Sequence, residues 1–249
     1  MAGTDAAEVI ADLDAEQDAI EAMIAPLSAE QLGQPSGAPG WSIADVVLHL
    51  AQSEESVVAS ITGDPVRPPF PVEGSTTDEI VDNWVKAERG DPVETVERWR
   101  AARRTSVAAL RDADPEARYP WIAASLRPGA LATTRLAEHW AHALDIAEPL
   151  GIDHPDTDRL RHIAWLGHRT LPYGFELAGE QPHAVYVELT APGGGTWSYG
   201  DPAASSRITG AAGAFCRVGA QRLAPEASGL VASGPHGQAA LRVLRNYAG

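Results

Sequence analysis

Glu138, His139, His142 and Asp145 crowd one stretch, "TRLAEHWAHALDIAEPLG", residues 133–150. Glu138 and His142 are four apart, so on a helix they rise from the same face one turn from each other. An imidazole and a carboxylate so placed can supply two of the three or so N/O donors that a divalent transition metal takes. A helical wheel also sets Leu136, Trp140, Ala143, Leu144 and Ala147 in one apolar stripe, with Glu138, His142 and Asp145 roughly opposite. By itself that wheel favours a solvent-facing polar side. Two histidines within four residues argue the other way, because lysine and arginine are the usual choices on a plain surface helix. A third imidazole, His49 in "ADVVLHLAQSEE", sits on the flank of a largely apolar helix, where a lone histidine is more often a hydrogen-bonded structural residue. Helix bundles build metal sites between facing helices, and His49 with Glu138 and His142 would meet the donor count. Two histidines and one carboxylate leave positions open for water or substrate. Spacing alone leaves both readings open.

The elements that must position these residues follow from periodicity. Residues 4–25 carry Val9, Ile10, Leu13, Ile20, Met23 and Ile24 at helical spacing, and "SAEQLGQPSGAPG" ends that pattern. "WSIADVVLHLAQSEESVVASITG" opens on Ser42 as N-cap, with Ile43, Val46, Val47, Leu50, Val57 and Ile61 on one stripe. A proline-rich loop, "DPVRPPFPVEG", leads to "TTDEIVDNWVKAERG", whose start reads as a capping box, and then to "DPVETVERWRAARRTSVAALRDA". With 133–150, four long helices and short connections predict an antiparallel bundle. The pattern changes near "GIDHPDTD", at 151–156. Residues 156–178 read as helix in register until Pro172, "AVYVELTAP" alternates as a strand, and "GGGTWSYG" completes a hairpin. "SRITGAAGAFCRVGAQRL" runs from strand to helix, and "GLVASG" with "QAALRVLRNYAG" repeats that order.

Bulk properties narrow the function. The chain of 249 residues is 44% hydrophobic and 21% charged, enough to bury a core. A net charge of -15 disfavours nucleic acid or an anionic membrane surface as partner. The densest basic run, "RWRAARR" at 98–104, reads as a solvated helix face. The single cysteine, Cys216, excludes an intramolecular disulfide and a cysteine-based zinc site, and its apolar neighbours make it a small buried hydrophobe. No stretch of 18 apolar residues predicts a membrane span. The acidic, amphipathic N-terminus is unlike a signal peptide, which points to the cytoplasm. "GGG" at 193–195 joins strands and lacks a phosphate loop's helix, and no G-x-S-x-G elbow is present. His162 and His168 read as surface or packing residues, and Gly40-Trp41 before the Ser42 cap reads as a hydrophobic staple.

Three segments together resemble one family. "PGWSIADVVLHLAQSEE", "TRLAEHWAHALDIAEPLG" with its R-x-x-E-x-W-x-H-x-x-D pattern, and "GAFCRVGAQRL" are similar, in this order, to the mycothiol-dependent maleylpyruvate isomerase superfamily. Pro120-Trp121 before the last bundle helix fits the same pattern. The resemblance implies a two-domain α plus α/β protein. Residues 1–152 would form a DinB-like metal-binding antiparallel four-helix bundle, and 153–249 a small α+β domain similar to sterol carrier proteins.

It further implies that His49, Glu138 and His142 bind a divalent metal, generally zinc, and that an open coordination position takes a thiolate, typically mycothiol. Arg222, in "AQRL", matches an arginine that helps hold an anionic substrate or the thiol. Trp121 is expected beside the cofactor, and Glu54 stands where relatives carry an acidic residue. Asp145 would orient His142 or serve as a fourth ligand. Two departures, Ala51-Gln52-Ser53 after His49 and His139 beside Glu138, suggest an altered substrate pocket. The resemblance is strongest to an actinobacterial subgroup of metal-binding proteins, some encoded near natural-product pathways.

The leading expectation is a metal-dependent thiol transferase or isomerase acting on an electrophilic small molecule, as monomer or homodimer. One alternative drops the thiol, leaving a hydrolase, lyase or cyclase in secondary metabolism. The other is a non-catalytic ligand-binding or self-resistance protein.

Overall fold

Helix α1 (Ala6–Ile24) starts where the Asp5 carboxylate accepts from the Ala7 amide at 3.1 Å, and it buries Val9, Leu13, Ile20 and Ile24. A short turn of helix, α2 (Ala29–Leu32), precedes α3 (Ile43–Thr62). Ser42 and Asp45 close a capping box at the start of α3, and Gly63, at φ 87°, ends it in the left-handed conformation. The computed structural model describes residues 5–65, 72–122 and 124–246, so the middle of the proline-rich loop lies outside the described residues. Helix α4 (Thr77–Glu88) is mostly half-exposed, burying only Val85. Asp91 caps α5 (Pro92–Asp112), whose first residue is the proline that a helix tolerates there. A two-residue pair of strands, β1 (Tyr119–Pro120) and β2 (Ser125–Leu126), leads into α6 (Pro128–Leu150).

The four long helices α1, α3, α5 and α6 share one core. Ile20 and Ile24 of α1 meet Ile43, Val47 and Leu50 of α3, Trp99 of α5, and Ala143 and Ile146 of α6. Trp99 and the large aliphatic residues of that core are fully sequestered, each worth roughly 1.5–3 kcal/mol of transfer free energy.

The chain divides into two compact units between His154 and Pro155. In the second, the helical stretch expected over 156–178, in register until Pro172, is two helices, α7 (Leu160–Arg169) and α8 (Leu171–Leu177). Pro172, without an amide hydrogen, sits at the start of α8, and the Thr170 amide ends α7 by donating to Leu166 O. Strands β3 (Val185–Thr190) and β4 (Thr196–Tyr199) form the expected antiparallel hairpin. β5 (Ser206–Ala211) runs parallel to β3 on its other side, and β6 (Val231–Ser233) closes the sheet in the order β4-β3-β5-β6. Helices α9 (Ala212–Gly219) and α10 (Gly237–Val243) complete the unit, with Cys216 and Phe215 buried. No helix among the described residues is long and apolar enough to cross a membrane.

The basic run at 98–104 departs from the expectation of a solvated face. Arg98 bonds Glu55 and Glu88 at 2.7 Å, Arg100 reaches Glu21, and Arg103 reaches Asp18. These arginines tie α5 to α1, α3 and α4, so their charge is matched within the protein.

Candidate metal centre

His49 of α3 and Glu138 and His142 of α6 converge in the first unit, each offering a ligand atom within 4.8 Å of the others. The His49 Nε2 lies 2.9 Å from Glu138 Oε1, and the His142 Nε2 lies 3.5 Å from the same oxygen. The two imidazoles meet edge to face, their centres 4.9 Å apart. On the other side of His142, Nδ1–H donates to Asp145 Oδ2 at 2.8 Å. That bond fixes the tautomer and turns the Nε2 lone pair toward Glu138 and His49. Asp145 therefore sits behind His142 and outside the converging set.

The polar face that the wheel assigned to solvent is sealed. His142 is 8% exposed and Asp145 2%, while the Glu138 side chain keeps 27% and is the wet edge of the site. The cause is loop 33–42, which the wheel cannot represent. Its Gly37 amide donates to Asp145 O at 2.7 Å, and a Cβ on Gly37 would stand 3.0 Å from Asp145 Cα. The same loop lays the Trp41 indole against both histidines, 5.3 Å from the His49 ring and 6.0 Å from that of His142. Trp41 Nε1 donates to Asp82 of α4 at 2.9 Å, which pins the indole. A separate cleft of ≈ 550 Å³ is bounded by this loop and the α4–α5 turn; Trp41 lines it and the three converging residues do not.

Electrostatics follow the geometry. Burial would raise the Glu138 pKa, but hydrogen bonds from His142 and His49, with the Arg135 charge, outweigh it and hold this carboxyl well below its ordinary value. Burial lowers His49. Burial acts the same way on His142, where the bonds to Asp145 and Glu138 win and raise it. The arrangement presents an ionised carboxylate between two imidazoles of opposite tendency.

One helical turn before Glu138, Arg135 is 4% exposed and fully inside the bundle. Its Nε donates to Glu54 Oε1 at 3.3 Å, and Trp121 lies under its guanidinium at 5.4 Å. Glu54 is itself fully buried, taking a hydrogen bond from Ser106 Oγ of α5. Burial raises its pKa, only partly offset by the Arg135 charge and the Ser106 bond. Glu54 thus stands as the counter-ion of Arg135 instead of in contact with the converging set. Arg222 belongs to the second unit, where it is exposed and its Nη1 donates to Ala220 O at 2.9 Å.

A model of the mycothiol maleylpyruvate isomerase N-terminal domain matches residues 13–147. The chain belongs to that family. An uncharacterized protein of Mycobacterium tuberculosis, found alike in strains CDC 1551 / Oshkosh and H37Rv, is 33% identical over 244 residues, covering 96% of this chain and 95% of its own. The crystal structure of the mycothiol-dependent maleylpyruvate isomerase superposes with a TM-score of 0.61 at 14% identity, over 92% of this chain and 93% of that one. A histidine-to-alanine mutant of the same isomerase gives 0.61 at 12% identity. The matched region contains His49, Glu138 and His142, and the superposition agrees with the mixed helix-and-sheet architecture.

Two departures from the family pattern are relocated by the structure. Gln52 turns to α4, where its Nε2 donates to Glu88 at 3.1 Å. His139 points into the core: Nδ1–H donates to Arg135 O at 2.9 Å, and Nε2 lies 3.5 Å from both Trp99 Nε1 and Gln17 Nε2. Neither side chain faces the converging set, whereas Ser53, four residues after His49 and on the same helix face, donates its hydroxyl to His49 O at 2.7 Å. Sequence reasoning also missed two residues. Arg135 lies three before Glu138 and seven before His142, a spacing that puts it on their face, yet it received no role. Trp41 was read as a staple; it does pack on the core cluster, and it also walls the histidines. A tryptophan one residue before an N-cap carries no signal of what its far edge will touch.

Proposed function

We propose that this protein holds a divalent metal, zinc by the character of the donor set, on His49, Glu138 and His142, and that it acts as a thiol-dependent isomerase or transferase on an electrophilic small molecule. The observation carrying this is the convergence of two imidazole nitrogens and one carboxylate oxygen within 4.8 Å, which a modest closure brings to metal–ligand distances of about 2.0–2.2 Å. Two histidines and a carboxylate fit zinc chemically, and three protein donors leave a position for an exogenous ligand. When bound, the metal lowers the pKa of a thiol or water at that position, making a nucleophile available near neutral pH.

The chain's own residues prepare this. Asp145 keeps a proton on His142 Nδ1, so Nε2 faces the site as a lone pair. Glu138 stays ionised across the physiological range because its partners oppose the cost of burial. Trp41 closes one side with an apolar face, leaving approach from the Glu138 edge. Family membership supports mycothiol as the thiol, since the matched family and the superposed enzyme are described by that cofactor. We read the first unit as a DinB-like bundle and the second as a sterol-carrier-like module that carries Arg222 as a candidate anion-binding residue, in a cytoplasmic protein.

Metal analysis of the purified protein tests this. One zinc per chain in wild type, lost in His49→Ala and His142→Ala, is expected, with thiol binding measured by calorimetry depending on that metal. Wild-type protein free of stoichiometric metal after zinc loading sinks the reading.

A further inference from the structure

Arg135 is a buried guanidinium whose hydrogen-bonding capacity is not used up. Nε is taken by Glu54, while Nη2, with no exposed surface of consequence, has no hydrogen-bond partner among the described residues. An unsatisfied donor on a buried cation carries a full desolvation penalty, so a fold that keeps one commonly completes it with a ligand. Arg135 also lies on the Glu138 and His142 face of α6, near enough that its charge acts on both Glu138 and His49. Trp121, half-exposed, lies over the guanidinium at the turn between two strands of only two residues each.

We propose that Arg135 is an oxygen-anion subsite in the first unit, in which Nη2 donates to a carboxylate of the bound small molecule while Trp121 covers that group. This assigns a second anion-gripping arginine, in the same unit as the histidines and independent of Arg222. The subsite deepens the function proposed above and rests on it for its purpose, although carboxylate binding itself needs no metal. Arginine suits the task because its planar fork stays charged when buried and can hold Glu54 through one edge and a ligand through another.

Calorimetric titration of metal-free and zinc-loaded protein with benzoate, benzamide and inorganic phosphate tests it. Expected are benzoate binding in both preparations, no benzamide binding, phosphate weaker than benzoate, and a loss of about tenfold or more in Arg135→Lys. Lysine keeps the charge and loses the fork. Should that variant fail to fold, a wild-type crystal soaked in p-bromobenzoate locates the ligand by its bromine, with the carboxylate expected against Arg135. Bromine elsewhere, phosphate binding as tightly as benzoate, or unchanged affinity in folded Arg135→Lys overturns the subsite. Zinc content, measured separately, decides the metal reading, so the two can fail independently.

Discussion

His142 Nδ1 and Asp145 Oδ2 stand 2.8 Å apart, three residues along one helix and both buried. The pair sets the histidine's orientation from within α6, by a bond between side chains three residues apart. Asp145→Asn keeps the shape and weakens the acceptor. Zinc affinity measured by competition with a chelator is expected to fall about 10–100-fold, with the fold intact by circular dichroism. An unchanged affinity would mean that Asp145 has no part in presenting His142.

Neighbouring glutamates should differ sharply in worth. Glu54 is fully buried against Arg135, and Glu55 pairs with Arg98 at the surface with its side chain 42% exposed. Glu54→Gln leaves a buried guanidinium without its counter-ion and is expected to cost about 3–5 kcal/mol in urea denaturation. Glu55→Gln is expected to cost about 1 kcal/mol or less. Equal losses would contradict the burial argument.

His139 should make the protein acid-sensitive. Burial, then the Arg135 charge, hold its pKa down to about 3, against 6.5 for an ordinary histidine. Above pH 6.5 folded and unfolded chains both carry it neutral. As pH falls below 6.5 the unfolded chain takes up a proton that the folded chain refuses, and stability drops by about 1.4 kcal/mol per pH unit toward pH 3. Glu54, with its raised pKa, works in the opposite sense. The comparison that isolates His139 is therefore the pH slope of unfolding free energy in wild type minus that in His139→Gln, expected positive between pH 6 and 4.

Gly37→Ala places a methyl group 3.0 Å from Asp145 Cα and 3.3 Å from Asp145 Oδ1. The crowding falls on backbone, which gives little. A destabilisation of about 1–3 kcal/mol is expected, together with weaker zinc binding, because loop and Asp145 must part. Calorimetric melting with and without zinc separates the two effects.

Much of the helical half was legible. The Ser42 cap and the apolar stripes located the helices, since those signals are local. The break at 170–171 was legible to within a residue or two, since the helical register was expected to run only until Pro172. The set His49, Glu138 and His142 could be nominated from residue type and resemblance, because donor chemistry is written in the side chains. What the sequence withheld was burial of the polar face. That depends on loop 33–42 crossing α6, a contact between residues about a hundred positions apart, which no periodicity records. For the same reason His139, adjacent to Glu138 in sequence, could be taken for a pocket residue when a 100° rotation along the helix sends it into the core.

His49 and Glu138 are 89 residues apart in the chain. At synthesis rates of about 5–20 residues per second, roughly 4–18 s separate their emergence from the ribosome. A nascent chain therefore displays one isolated imidazole on α3 long before the rest of the set exists, and that imidazole alone grips ions weakly. On the proposed metal reading, loading would wait until α6 has docked, the ion would reach a finished receptacle, and the ion present at that moment would decide which metal is held.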